Sequence, residues 1–229
     1  MKNLQSAKNL HKENLKNLLS KASAKDSSTT IFNDFLVVAA ISLANVNKNS
    51  AAYQDREKRF LETMSKYNKE TQLIFRDMLA ELGLALEEKM YQDVLGEIFH
   101  ELNLNEQKNG QVFTPQHTGN LMGEIALPEE FVKSEIQRKG IITIKEPCCG
   151  SGAITLGALN ALLKIGISPN FQSLVIASDT DERCVLMTYI QLSLYGIPAI
   201  VSQQNAISEE IYSAEWLTPM YKFFKSRWE

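Results

Sequence analysis

Over the first 105 residues apolar side chains return every three or four positions, with no proline and with Gly83 and Gly96 as the only glycines. That spacing is the 3.6-residue period of amphipathic helices. It predicts helices over 5–24, 31–46, 50–66, 69–82 and 85–103. The cluster Ser27-Ser28-Thr29-Thr30 separates the first two and supplies an N-cap. Phe32, Phe35, Leu36, Ala39, Ala40 and Leu43 share one face and form the expected most buried stripe. The stretch Lys89 to Leu104 reads as a strongly patterned helix ending near His100, a surface or capping residue.

The period changes after the polar stretch Asn103 to Gly110, which ends in an Asn-Gly turn signal. Gln111-Val112-Phe113-Thr114-Pro115 is extended, because a residue before proline is biased away from helix. Helices are expected over 116–126 and 128–138. A strand over 141–145, a helix over 152–165, a strand over 173–178, a helix over 182–194 and a strand over 198–202 follow. Strands alternating with helices through short connections predict a parallel α/β sheet. The expected organisation is a helical domain over 1–105 and an α/β domain over 106–229.

A chain of 229 residues with 44% hydrophobic and 22% charged residues fits a soluble globular protein with a substantial core. The net charge of -3 argues against a globally basic nucleic-acid binder and leaves room for a local basic face. The first segment is such a candidate: Lys2, Lys8, Lys12, Lys16, Lys21 and Lys25 stand against Glu13 alone, and Lys8, Lys12 and Lys16 lie one turn apart. They read either as a phosphate-contacting face or as a solvated one. The three cysteines, Cys148, Cys149 and Cys184, have no Cys-x-x-Cys or Cys/His ligand spacing, so no metal is expected. A reducing cytoplasm is the expected location, since no signal-peptide core or membrane-length apolar run occurs.

The candidate chemistry centres on Glu146-Pro147-Cys148-Cys149-Gly150-Ser151-Gly152, which follows the first strand and opens a helix. Glycines there let a ligand approach backbone, and the helix offers free N–H groups. A dinucleotide fingerprint needs a third glycine where Thr155 stands, and a P-loop needs Gly-Lys-Ser/Thr, which is absent. The second strand ends in Asp179-Thr180-Asp181, with Asp179 placed to accept hydrogen bonds from ribose hydroxyls and Asp181 to cap the next helix. After the third strand comes Gln204-Asn205, whose amide suits an adenine edge.

Taken in order, these residues resemble S-adenosylmethionine-dependent N6-adenine DNA methyltransferases, and among them the modification subunits of type I restriction systems. Glu146 to Gly152 looks like the family's acid-Pro-x-x-Gly-x-Gly cofactor motif, and Phe113-Thr114-Pro115 like its upstream Phe-Thr-Pro motif. The likeness covers about residues 90 to 206. It implies a Rossmann-like methyltransferase domain preceded by helices, with S-adenosylmethionine as cofactor and DNA as partner. It also implies cofactor contacts from Phe113, Thr114, Pro115, Glu146, Cys148, Gly150, Ser151, Gly152, Asp179, Thr180 and Asn205.

The family's catalytic Asn/Asp-Pro-Pro-Tyr/Phe motif has no counterpart, because no Pro-Pro occurs in the chain. The nearest approach is Thr218-Pro219-Met220-Tyr221; Tyr221 reads by default as a packing aromatic and is the one candidate to stack on a flipped base. In this fold the next strand pairs with the first. Its absence predicts an open edge at 141–145 that the aromatic tail of Trp216, Tyr221, Phe223, Phe224 and Trp228, or another chain, covers.

Overall fold

The computed structural model describes residues 10–24, 26–45, 52–101 and 114–224. Lys2, Lys8, Lys25, Gln111 to Phe113 and Trp228 lie outside the described residues. The chain begins with α1 (Leu10–Ala22), α2 (Ser28–Ala44), α3 (Tyr53–Ser65), α4 (Lys69–Glu88) and α5 (Val94–Glu101). Ser27 caps α2 by accepting the N–H of Thr30 at 3.1 Å, as its sequence position predicts. Ile31, Phe32, Phe35, Leu36, Ala39, Ala40 and Ile41 are all buried, while Leu43 is only partly so. A helix this apolar needs neighbours nearly all round, and α2 has them in α1, α3, α4 and a helix of the α/β segment.

Two expectations are corrected here. The predicted break near Gly83 does not occur: α4 runs through it to Glu88. A glycine costs a helix only about 1 kcal/mol, less than α4 gains by burying Leu82, Ala85 and Leu86 on either side of it. The true break is Lys89 to Asp93, where Tyr91 turns to φ 51° with its ring buried. The helix predicted from Lys89 therefore starts at Val94. The lysines of α1 are also not a free basic face. Lys12 Nζ reaches Glu97 at 3.1 Å and Glu101 at 3.0 Å, and Lys16 Nζ reaches Glu101 at 2.9 Å and Glu13 at 2.6 Å.

The remaining elements are α6 (Gln116–Ala126), α7 (Glu129–Lys139), β1 (Ile142–Glu146), α8 (Ala153–Lys164), α9 (Pro169–Gln172), β2 (Ser173–Asp179), α10 (Glu182–Leu194), β3 (Ala199–Gln203), β4 (Trp216–Leu217) and α11 (Pro219–Phe223). The fold is mixed α/β, with a four-stranded sheet in the order β1-β2-β3-β4. β1, β2 and β3 run parallel, and β4 pairs antiparallel with β3. That short β4 was not legible as a strand, since a two-residue segment carries no period. α7 and α8 pack on β1, and α10 packs on β2 and β3. α6 lies against α8 so closely that a Cβ on Gly157 would collide with the backbone of Gly119.

One contiguous apolar core runs from Leu15 and Phe35 in the helical segment, through Val175 and Val185, to Trp216. A bidentate pair between Arg59 and Glu182, at 2.5 and 2.9 Å, adds a polar tie between α3 and α10. The described part of the aromatic tail does not cover β1, because β4 leads α11 to the opposite edge of the sheet. Trp216 is buried under Arg56, 4.1 Å from its ring, and Phe224 meets Phe171 and Phe223 edge-on. β1 is left as an edge strand among the described residues, with Thr143 and Lys145 exposed.

Candidate functional site

β1 ends at Glu146 and β2 at Asp179, both at the carboxyl end of the sheet. Past Pro147 the chain keeps touching β2: the N–H of Cys149 donates to the carbonyl of Ser178 at 2.9 Å. Gly150 and Gly152 then take φ of 53° and 104°, left-handed values that side chains disfavour. The resulting turn delivers the chain into α8. The N–H of Gly150 donates to Asp179 Oδ2 at 2.9 Å, and that of Asp181 to Oδ1 at 2.9 Å. The glycine turn and the acid ending the second strand are thus one unit.

The chemistry of this end is acceptor-rich. Glu146 Oε1 accepts the N–H of Cys148 at 3.2 Å, so it keeps one oxygen outside that contact. A carboxylate offers about four acceptor positions, so Asp179 retains capacity after its two backbone bonds. Two carboxylates at neighbouring strand ends, beside a glycine turn, give this end negative charge and free hydrogen-bond acceptors. Asp181 caps α10 by accepting the N–H of Arg183 at 2.9 Å, the role its position predicts.

The other candidates divide. Thr114 and Pro115 line a hollow of about 270 Å³ with Asp93, Gly96, Glu97 and His117. That hollow adjoins the turn through Ser151, whose hydroxyl donates to Asp93. Thr180 is exposed next to Asp179, its carbonyl accepting from Gln203 at 3.0 Å. Asn205 does not present its carbonyl oxygen to a ligand. Oδ1 accepts the N–H groups of Ile207 and Ser208 at 2.9 and 3.2 Å, closing a local turn that asparagine favours. Cys148 is exposed, and Cys149 is the buried one of the pair; burial pushes the Cys149 thiol well up. Cys184 is buried in the core.

Tyr221 packs, as its default reading has it, and is not placed to stack on a base at the turn. It is buried in α11, whose capping residue Thr218 donates its N–H to the carbonyl of Ala199, the first residue of β3. The glycine turn lies at the other end of the strands. β3 spans Ala199–Gln203, and at roughly 3.3 Å per residue its ends are too far apart for one ring to serve both.

Residues that sequence reading passed over hold the turn. Thr188 Oγ1 donates to the carbonyl of Gly150 at 2.9 Å, and Gln191 Nε2 to that of Ser151 at 2.9 Å. Gln191 Nε2 also donates to Asp93 Oδ1 at 3.0 Å. The available signal was a lone amide inside the otherwise apolar run of α10. Among the described residues no cluster of three or more His, Cys, Asp or Glu suits a metal ion. No described helix is long and apolar enough to cross a membrane. Comparison with protein-family models, with curated proteins and with solved structures gives no match to this chain.

Proposed function

We propose that this chain binds S-adenosylmethionine and serves as the cofactor-binding part of an adenine-N6 DNA methyltransferase of restriction-modification type. The observation that carries the reading is the bond from Gly150 N–H to the Asp179 carboxylate, which joins the left-handed glycine turn to the acid at the neighbouring strand end. Asp179 has acceptor capacity for a ribose diol, Glu146 supplies negative charge for the cationic end, and Gly150 and Gly152 admit the ligand close to backbone. Thr114 and Pro115 line the hollow on the Asp93 side, which reaches the turn through the contact of Asp93 with Ser151. When bound, the cofactor supplies an electrophilic methyl group; the chain's residues bind and orient it. DNA as the methyl acceptor rests on the motif resemblance, and a cytoplasmic setting on three cysteines without a disulfide.

On this reading the adenine site is not among the described residues: Tyr221 lies at the far end of the sheet, and the sequence has no Pro-Pro. The open edge of β1 is where a further strand, from another segment or partner, adds to the sheet and brings that motif to the turn. The same facts favour a second reading, a cofactor-binding or interaction module without catalysis.

Calorimetry with S-adenosylmethionine, together with transfer of a tritiated methyl group to unmethylated DNA, separates the two. Binding without transfer by this chain alone fits both readings; transfer restored when a segment or partner carrying the missing motif is added supports the enzyme, and transfer still absent then supports the module. Absence of binding by the wild-type chain defeats both.

A further inference from the structure

We infer that Asp93, which lies outside the glycine turn and precedes it by more than fifty residues, is the positioning residue that holds the turn in its ligand-ready shape. The inference rests on the cofactor reading for the identity of the ligand, and on geometry alone for the role. Asp93 is 3% exposed and opens α5. Its Oδ1 accepts the N–H of Gly96 at 2.8 Å and Gln191 Nε2 at 3.0 Å, and its Oδ2 accepts the hydroxyl of Ser151. Gln191 closes the ring by donating to the carbonyl of Ser151 at 2.9 Å, and its Oε1 accepts the N–H of Leu95 at 3.2 Å. The central residue of the Gly-Ser-Gly turn is therefore gripped through its hydroxyl and its carbonyl, both from outside the turn.

The grip has no slack. A Cβ on Gly96 would collide with Asp93 Oδ2 and Ser151 Oγ, so α5 packs directly on the contact. The backbone N–H of Asp93 donates to Gln116 Oε1 at 2.9 Å, beside Thr114 and Pro115. The Asp93 carboxyl thus joins the turn to α10, and its backbone N–H ties the same residue to Gln116 beside the Thr-Pro segment. Burial pushes its pKa up, against the donors Ser151, Gln191 and Gly96, which favour the charged form. A buried acid at such cost is retained where it fixes one conformation. α1 in turn contacts α5 through Lys12 to Glu97 and Glu101.

The turn carries its own reporter. Cys149, one residue before Gly150, is buried, and Cys184 is buried in α10 as an internal control. Alkylation rates of each cysteine, located by peptide fragment masses, are measured in the full chain for wild type, Asp93→Asn, Ser151→Ala and the double variant. Either single substitution is expected to raise the Cys149 rate by about tenfold or more while Cys184 stays within about twofold, because local opening replaces global unfolding. The double variant is expected to add little, since both changes remove one contact. Unchanged Cys149 rates overturn the inference, as does a parallel rise at Cys184, which reports general loss of structure. Calorimetric affinity for S-adenosylmethionine is expected to fall by about tenfold or more in the single variants. Unchanged affinity alongside faster Cys149 alkylation also overturns it. If the wild type itself does not bind, the cofactor reading fails while the thiol rates still judge Asp93.

Discussion

The backbone N–H of Gly150 donates to the carboxylate of Asp179 across 2.9 Å, so the turn after the first strand and the end of the second hold each other in place. The residues are 29 apart in sequence, and parallel pairing of β1 with β2 brings them together. An acid at this strand end therefore has a structural task even before a ligand arrives.

Asp179→Ala removes the acceptor for Gly150 and for Asp181 together. A hydrogen bond to a charged group is worth about 1.5–3 kcal/mol, and less where the group is partly solvated, as here. We expect a loss of about 1–2 kcal/mol in urea unfolding, with calorimetric binding of S-adenosylmethionine abolished. Retention of full affinity would remove Asp179 from the site.

Two glycines make opposite predictions. Gly83 lies inside α4, and a Cβ there meets nothing within 4 Å. Gly83→Ala should stabilise the chain by about 0.5–1 kcal/mol through helix propensity. Gly157 faces Gly119 so closely that an added Cβ strikes its carbonyl group. Gly157→Ala should cost about 1–3 kcal/mol by overpacking the α6–α8 contact. Thermal unfolding of both variants checks the pair, and equal shifts would contradict the helix contact.

Docking of α1 should weaken in acid. Burial pushes the Glu101 carboxyl up, but Lys16 and Lys12 together hold it below the ordinary value of 4.5. A carboxyl with a lowered folded pKa stabilises fully above its unfolded value, and that contribution is lost as pH falls through the lowered one. Hydrogen-exchange protection factors of the α1 amides should therefore drop below pH 4.5 more than those of α10. Lys12→Gln with Lys16→Gln should lower α1 protection at neutral pH and flatten the profile. A profile unaltered by these substitutions would show that the ion pairs contribute nothing to docking.

Much of the chain's organisation was legible in order along the sequence. The apolar period places α2, α6 and α10 to within a few residues, because helix formation and its caps are local matters. The strand ends at Glu146 and Asp179 follow from β-branched runs meeting an acid and a turn, and the glycine turn from Gly150 and Gly152, whose left-handed backbone the structure then shows. Gly83 misled because its local cost is smaller than the burial on either side of it.

What only the tertiary structure decided is where the polar side chains go. Lys12 and Lys16 turn to Glu97 and Glu101 instead of an outside phosphate; Asn205 closes its own turn; Tyr221 is carried to the wrong end of the sheet by β4. Asp93 meets Ser151 across 58 positions and Gln191 across 98, separations that no local pattern encodes. A buried polar group must find a partner wherever packing brings one within reach, and packing is settled by the whole chain at once. The local pattern, by contrast, determined that a glycine turn would stand at the end of β1 beside an acid, since both depend only on the few residues that form them.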